Sequence, residues 1–203
     1  NQVFELGSTF KPITVAAALD AGTITDLGKR YPSGHPLSIG GFQIRDGHAM
    51  GASLNVPETL IHSSNVVTAQ IADELGGVRF KKTMETLGMN ERPYIELPAR
   101  GFPIWPRGAW ARITTMTVSY GHGIAVTPLH LASAYAALVN GGIWRPATLY
   151  KVTPGQEAPG KRVFTEATSY RIRQMLRLVV LDGTGKNAGA DGFRVGGKTG
   201  TAE

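Results

Sequence analysis

Hydrophobic residues recur along this chain at helical spacing, in blocks that end at glycine or asparagine. An alanine- and valine-rich block from Phe10 to Ala21 ends at Gly22, and a second block from Val66 to Leu75 ends at Gly76. Thr127 and Thr165 are the N-caps of two later blocks, and Asn55 with Glu58 three residues on is typical of a capping box. The first predicted helix begins close to Ser8 or Thr9 and runs to about residue 21, and the others cover about 56–62, 66–75, 80–87, 128–139 and 165–181.

Strand signals are fewer than helix signals. Alternation from Leu37 to Arg45 around a pair of glycines predicts a hairpin, and Phe193-Arg194-Val195 predicts the start of a strand near the end of the chain. The stretch 91–106 is rich in proline and predicts an irregular connection. Together these patterns favour an α/β (α+β) fold in one domain over 1–203, with a helical lobe at roughly 8–140 and part of an antiparallel sheet lobe at roughly 141–203.

Composition narrows the chemistry. The 203 residues can bury a sizeable core, and the absence of cysteine excludes disulfides, thiolate metal sites and cysteine catalysis. The net charge of +6 is scattered and has no nucleic-acid-binding motif beside it, so we expect no nucleic-acid partner. The five histidines lack ligand spacing, and we expect neither a metal nor a cofactor. No apolar run is long enough to span a membrane, so we expect any anchor upstream of Asn1.

The first chemical motif is Ser8-Thr9-Phe10-Lys11, at the start of the first helix. At a spacing of three, Ser8 and Lys11 share a helix face. A serine hydroxyl is a weak nucleophile unless a base takes its proton, and Lys11 can be that base if burial against Phe10 and the charge of Lys198 keep its amine neutral. Taken alone, the motif is better explained as an N-capping serine followed by an exposed lysine.

Two further motifs follow in order. Ser63-Ser64-Asn65 falls between two predicted helices and offers a hydroxyl that can pass a proton and an amide that can bind a peptide. It could also be a simple turn and helix cap. Lys198-Thr199-Gly200-Thr201, expected on the last strand, combines a cation and two hydroxyls with a glycine that lets a substrate approach. Alone, it could be a turn at a strand edge.

All three motifs in this order, placed on a helix start, between helices and on a strand, predict a serine acyl-transfer enzyme that uses no histidine. The chain strongly resembles the transpeptidase domain of class B penicillin-binding proteins, whose S-x-x-K, S-x-N and K-T-G motifs these match. The stretch from Ser119 to Pro128 is similar to the family's glycine-rich segment. The segment from Ile44 to Asn65 is most similar to the division-specific penicillin-binding protein 3 (FtsI) type, particularly its alphaproteobacterial members.

The resemblance implies catalytic roles for four residues. Ser8 would attack the D-Ala–D-Ala carbonyl of a peptidoglycan stem peptide while Lys11 takes its proton. Ser63, assisted by Lys198, would relay a proton to the leaving D-alanine. The amine of a second stem peptide would then accept the acyl group and form a cross-link, and β-lactams would acylate the same serine.

The resemblance also implies a substrate-binding set. Asn65 would hold the substrate backbone, and Thr199 and Thr201, with Gly200 between them, would bind the terminal carboxylate. The backbone N–H groups of Ser8 and Thr201 would form the oxyanion hole. Further strands and a C-terminal helix would be expected after the third motif, since a strand there otherwise lacks a neighbour.

The remaining implications concern the setting. The family implies a periplasmic location at the bacterial inner membrane, with divisome membrane proteins and a septal glycosyltransferase as partners. Two alternatives stay open: a non-catalytic penicillin sensor or scaffold, and a D,D-carboxypeptidase or β-lactamase. Of these, the β-lactamase is disfavoured, because the middle motif is Ser-Ser-Asn and because Glu85, followed by Thr86-Leu87-Gly88, does not match a deacylating carboxylate motif.

Overall fold

The computed structural model describes residues 2–201. Seven α-helices lie in this range: α1 Lys11–Asp20, α2 Val56–Ile61, α3 Asn65–Leu75, α4 Gly77–Thr86, α5 Arg112–Ser119, α6 Pro128–Val139 and α7 Glu166–Asp182. Two 3₁₀ helices cover Gly7–Phe10 and Lys186–Ala188. The short strands are β1 Tyr31–Pro32, β2 Leu37–Ile39, β3 Phe42–Ile44, β4 Ser53–Leu54, β5 Ile143–Trp144 and β6 Lys161–Arg162, paired antiparallel as β1–β4, β2–β3 and β5–β6. Helices with small antiparallel pairs confirm the predicted α+β class.

Helix α1 lies at the centre of the molecule. Every residue from Lys11 to Leu19 is buried, and the helix packs against α3, α4, α6 and α7. A helix that is apolar on all sides is stable only inside a core, and burying side chains such as Ile13 contributes roughly 2 kcal/mol each. The element that follows Ser8 directly is therefore among the most firmly held parts of the fold.

Local caps set the helix starts that the sequence predicts. The Asn55 carboxamide accepts a hydrogen bond of 2.9 Å from the Glu58 N–H, and the Glu58 carboxylate accepts one of 2.8 Å from the Asn55 N–H. Thr127 and Thr165 likewise accept bonds from the third residue of α6 and of α7. These contacts confirm the predicted N-termini of α2, α6 and α7.

The hairpin β2–β3 is also confirmed. Leu37 pairs with Ile44, and Ile39 pairs with Phe42. Gly40 and Gly41 both have positive φ, at 53° and 86°, as a type I′ turn requires. The hairpin leads directly into Arg45 and Asp46, which reach the active-site region described below.

Helix α5 has no counterpart in the sequence prediction. Its sequence is rich in threonine, which favours helices poorly, and no side chain caps its start. The helix forms because Thr115, Met116 and Val118 are buried in its packing against α3. Tertiary packing therefore overrides a weak local preference.

The expectation of a strand from Phe193 through the third motif is wrong for the described residues: none from Gly192 to Thr201 is in a strand. The segment is bonded to α7 instead, through the Gly197 N–H to the Leu176 carbonyl at 3.1 Å and the Arg177 guanidinium to the Val195 carbonyl at 2.9 Å. A strand needs a ladder partner, and this segment has a helix beside it.

Within the same residues, no helix combines the length and apolar character that a membrane crossing requires.

Candidate active site

The first motif lies on a turn that continues into α1. Ser8 is in the 3₁₀ helix, and Lys11 is the first residue of α1. Because a 3₁₀ helix has three residues per turn, residues spaced by three lie above one another on one face. Pro12 occupies the first turn of α1, where the missing N–H costs no internal hydrogen bond. The prediction that this motif lies at a helix start is confirmed.

The turn that bears Ser8 is fixed from behind. The Tyr135 hydroxyl donates to the Thr9 carbonyl at 2.8 Å, and burial raises the pKa of Tyr135, which keeps the phenol protonated as a donor. Gly121 packs directly against this turn, since a Cβ at position 121 would lie 2.1 Å from the Gly7 carbonyl oxygen. The glycine-rich segment therefore acts as a backing for Ser8, and only glycine fits at position 121.

The second motif lies in the junction between α2 and α3. Ser63 has a φ of 59°, and among residues 2–201 it is the one non-glycine residue with a positive φ. This left-handed conformation costs about 1 kcal/mol and persists only where surrounding contacts impose it. Ser64, next along the chain, is the N-cap of α3 and accepts a bond of 3.0 Å from the Val67 N–H.

The amine of Lys11 reaches the second motif. Its Nζ donates to the Ser63 carbonyl at 2.5 Å and to the Ser63 hydroxyl at 3.1 Å. The side chain is fully buried, and this burial, followed by the nearby charge of Lys198, lowers the pKa of Lys11 to about 7, against an opposing effect of Asp46. Such an amine is neutral in a large fraction of molecules at neutral pH and can accept a proton.

Lys198 completes a chain of polar contacts. Its Nζ lies 2.8 Å from the Ser63 hydroxyl and 2.9 Å from the Thr199 carbonyl. Burial lowers its pKa to about 8. The Ser63 hydroxyl thus lies between two amines whose pKa values are both close to neutrality, an arrangement suited to passing a proton.

The third motif closes on the first. A Cβ at Gly200 would lie 2.6 Å from the Thr9 methyl group and 3.0 Å from the Leu6 carbonyl, so the two backbones are in close contact. Thr199 and Thr201 are exposed. The Thr199 hydroxyl is 2.7 Å from the hydroxyl of Thr184, in the loop after α7.

Hydrogen bonds and a close backbone contact join the three predicted motifs, although Ser8 is not paired with its expected base. The amine of Lys11 is bonded to Ser63 rather than to the Ser8 hydroxyl. Catalytic contacts of this kind often tighten only when substrate binds. The Asn65 carboxamide donates from Nδ2 to the Arg45 carbonyl at 2.9 Å, which fixes its orientation.

Sequence reasoning assigned no role to two residues that touch the site, Thr184 and Asp46. The Asp46 carboxylate contacts three successive residues of the second motif and of α3. Thr184 belongs to Gly183-Thr184-Gly185-Lys186, a glycine-rich stretch whose spacing does not match a phosphate loop. No local pattern marks either residue, because each acts on a motif at least 15 residues away.

The three-motif arrangement corresponds to a known domain. A family model described as the penicillin binding protein transpeptidase domain matches residues 1–203. The chain belongs to this family. The penicillin-binding protein resemblance inferred from the three motifs is thereby confirmed.

Relatives of this transpeptidase domain are consistent with the FtsI-type branch. The chain is 42% identical over 204 residues to a probable peptidoglycan D,D-transpeptidase FtsI of Caulobacter vibrioides, covering 99% of the chain and 34% of that protein. It is 34% identical over 205 residues to the peptidoglycan D,D-transpeptidase FtsI of Escherichia coli K12, covering all of the chain and 34% of that protein. The chain thus spans about a third of the length of these relatives.

The fold agrees with a solved structure of the same family. The apo transpeptidase domain of Burkholderia pseudomallei penicillin-binding protein 3 superposes with a TM-score of 0.93 at 34% identity, covering all of this chain and 61% of that one. At this identity the likeness extends beyond the fold to the family. The penicillin-binding-protein fold expected from the motifs is confirmed.

Proposed function

We propose that this domain is the acyl-transfer unit of a peptidoglycan D,D-transpeptidase, which cross-links stem peptides through a serine acyl-enzyme and which β-lactams acylate. The observation that carries the proposal is the chain of contacts from Lys11 through Ser63 to Lys198, one turn from Ser8, with both amines shifted toward neutral pKa. A serine acyl transferase without histidine needs such a base and relay.

In the first half-reaction, the Ser8 hydroxyl attacks the carbonyl of the penultimate D-alanine, and neutral Lys11 takes its proton. The developing oxyanion accepts hydrogen bonds from the backbone N–H groups of Ser8 and Thr201. The N–H of Ser8 is in the first turn of its helix, where donors lack an acceptor within the helix. The peptide bond breaks, and Ser63, next to Lys198, passes a proton to the amine of the departing D-alanine.

In the second half-reaction, the amine of another stem peptide attacks the ester carbonyl and restores the Ser8 hydroxyl. Asn65 holds the donor peptide backbone. Thr199 and Thr201 bind its terminal carboxylate in the first half-reaction, with Gly200 leaving room for the close approach. No step calls for a cofactor or a metal.

The setting belongs to the same proposal. The protein acts in septal wall synthesis at the periplasmic face of the inner membrane, anchored by a segment outside this chain. Divisome membrane proteins and a glycosyltransferase are its partners. The similarity to FtsI-type relatives supports this setting. We also propose that the domain consists of a helical lobe, roughly 8–140, and part of a sheet lobe, roughly 141–203.

The proposal is tested by the fate of the acyl group. The intact protein is incubated with a D-Ala–D-Ala donor peptide or a thioester analogue, with and without an acceptor amine. We expect the acceptor to take up the acyl group, and we expect Ser8→Ala to abolish both transfer and hydrolysis. Rapid hydrolysis of the donor without transfer would indicate a carboxypeptidase, and rapid release of the penicilloyl group after treatment with penicillin would indicate a β-lactamase. Acylation by penicillin with no turnover of either substrate would indicate a sensor or scaffold.

A further inference from the structure

The Asp46 carboxylate organises the start of α3 from outside the three motifs. One of its oxygens accepts bonds from the Asn65 N–H at 2.5 Å and the Val66 N–H at 3.1 Å. The other accepts a bond of 2.8 Å from the Ser64 hydroxyl. First-turn N–H groups have no acceptor inside a helix, and a carboxylate at that end also opposes the positive end of the helix dipole.

These contacts tie the residues that follow Ser63, the proposed proton relay, to one short segment. Ser64, held by Asp46, directly follows Ser63, whose strained left-handed backbone must be imposed by its surroundings. The carbonyl of Arg45 accepts from the Asn65 side chain at 2.9 Å. The dipeptide after β3 therefore fixes the backbone that follows the Ser63–Ser64 bond and the direction of the Asn65 amide.

Asp46 is also the negative charge that acts on the buried amine of Lys11. The charged groups whose fields reach Lys11 are Lys198, from the segment beside α7, and Asp46, from the end of the β2–β3 hairpin. Lys198 lowers the pKa of Lys11, and Asp46 raises it. Asp46 is only partly buried, and its three hydrogen bonds keep its charge facing the site.

We propose that Asp46 is a positioning residue of this active site: it holds Asn65, and Ser63 through Ser64, in place at the start of α3, and its negative charge acts on the Lys11 amine. The inference deepens the proposed function and rests on it for its kinetic consequences. Its two parts, geometry and charge, are separable by substitution.

Two substitutions separate them. Asp46→Asn keeps an oxygen for the Asn65 and Val66 N–H groups but removes the charge. Asp46→Ala removes both. The matched control is Asp73→Asn, on α3 but away from the three motifs. It changes the net charge by the same amount and removes a carboxylate that Arg112 binds at 2.6 and 2.7 Å.

The kinetic readout is the rate of acylation by penicillin against pH in the intact protein. We expect the ascending limb of Asp46→Asn to move to lower pH by about half a unit, because losing the negative charge lowers the pKa of Lys11. Asp46→Ala shows the same shift and also loses at least about tenfold in rate on the plateau. Asp73→Asn leaves the pH of the ascending limb and the plateau rate unchanged. A rate loss with no shift beyond that of the control would overturn the charge role, and an unchanged plateau for Asp46→Ala would overturn the positioning role.

A second readout does not depend on acylation. The titration of Lys11 is followed by NMR of ¹³Cε-labelled lysine, assigned with Lys11→Met, alongside hydrogen exchange at the Asn65 and Val66 amides. We expect a lower Lys11 pKa in Asp46→Asn and faster exchange in Asp46→Ala. His35 and His48 border a cleft of about 310 Å³ together with Asp46, and the lysine label does not report on either imidazole. If wild type is not acylated at Ser8, the proposed function fails while this titration still decides the inference. An unshifted Lys11 pKa with unchanged exchange would refute it even if Ser8 is acylated.

Discussion

At the scale of single residues, the proposed mechanism depends on the protonation of Lys11. Both causes that the sequence suggests for a neutral amine, burial and the charge of Lys198, are the leading causes in the structure. The sequence suggests them because Phe10 and Ala-rich α1 are apolar and because a second lysine occurs in the third motif. The opposing charge of Asp46 could not be foreseen, because its place beside α3 depends on where the β2–β3 hairpin ends in space.

The pKa of Lys11 predicts how acylation depends on pH. With a pKa of about 7, roughly one amine in ten is neutral at pH 6 and roughly nine in ten at pH 8. If Lys11 is the base, the rate constant for acylation by penicillin rises about tenfold over this range. Stopped-flow or quenched labelling measures this rate constant, with Lys82→Met, at an exposed position of α4, as the control variant. A rate that is flat or that falls from pH 6 to pH 8 would contradict this role.

The same pKa predicts a stability cost that depends on pH. The folded pKa of Lys11 is about 7 and the ordinary value is 10.5, so burial of the charge destabilises the fold fully below pH 7. The cost diminishes as pH rises from 7 to 10.5, because the folded state releases its proton first. Lys11→Met therefore raises the Tm relative to wild type at pH 6, and the gain shrinks by pH 10.

Thermal unfolding of both proteins at the two pH values measures this, and Lys82→Met reports the effect of the same exchange at an exposed site. An equal or larger gain at pH 10 would mean that the Lys11 amine is not under strain from burial. Lys11→Met also removes the hydrogen-bond donor to the Ser63 carbonyl, and this loss limits the gain in Tm at both pH 6 and pH 10.

At the scale of elements, the parts that local chemistry specifies were predictable. Caps at Asn55, Thr127 and Thr165, and the glycine pair of the hairpin, each encode a boundary within four residues. Helix α5 and the segment carrying the third motif were not predictable, for a common reason. Each takes its conformation from a distant partner, α3 in the first case and α7 in the second.

The backing of the Ser8 turn gives a prediction at this scale. Gly121→Ala places a methyl group 2.1 Å from the Gly7 carbonyl at a φ of 86°, so the turn must move. We expect a loss of about 3 kcal/mol or more in stability and a loss of most acylation. The matched control is Gly123→Ala, which has a similar φ of 74° but whose nearest neighbour would lie 3.7 Å away.

Gly123→Ala therefore costs only its backbone strain, about 1 kcal/mol, and retains acylation close to wild type. Chemical denaturation and penicillin labelling of the two variants measure both effects. Equal losses for the two would mean that backbone conformation alone, and not contact with the Ser8 turn, explains the role of the glycine-rich segment.

At the scale of the whole molecule, the fold brings together residues far apart in sequence. Ser63 meets Lys11 across 52 positions and Lys198 across 135. These residues could be predicted from the order of the three motifs, because a nucleophile with its base, a proton relay and an anion-binding set form an acyl-transfer site only in combination. The contacts that refine the site were not: Thr184 on Thr199, Tyr135 on Thr9 and Asp46 on α3 arise from how the helices surround α1.

The central claim is that Ser8 is the nucleophile of an acyl-transfer site, and covalent labelling tests it most directly. The intact protein is treated with a fluorescent penicillin, and the modified peptide is identified by mass spectrometry. We predict one acyl group, carried by Ser8, and no labelling of Ser8→Ala, while Thr9→Ser is labelled. Labelling that persists in Ser8→Ala, or an acyl group found on another residue of wild type, would contradict the account.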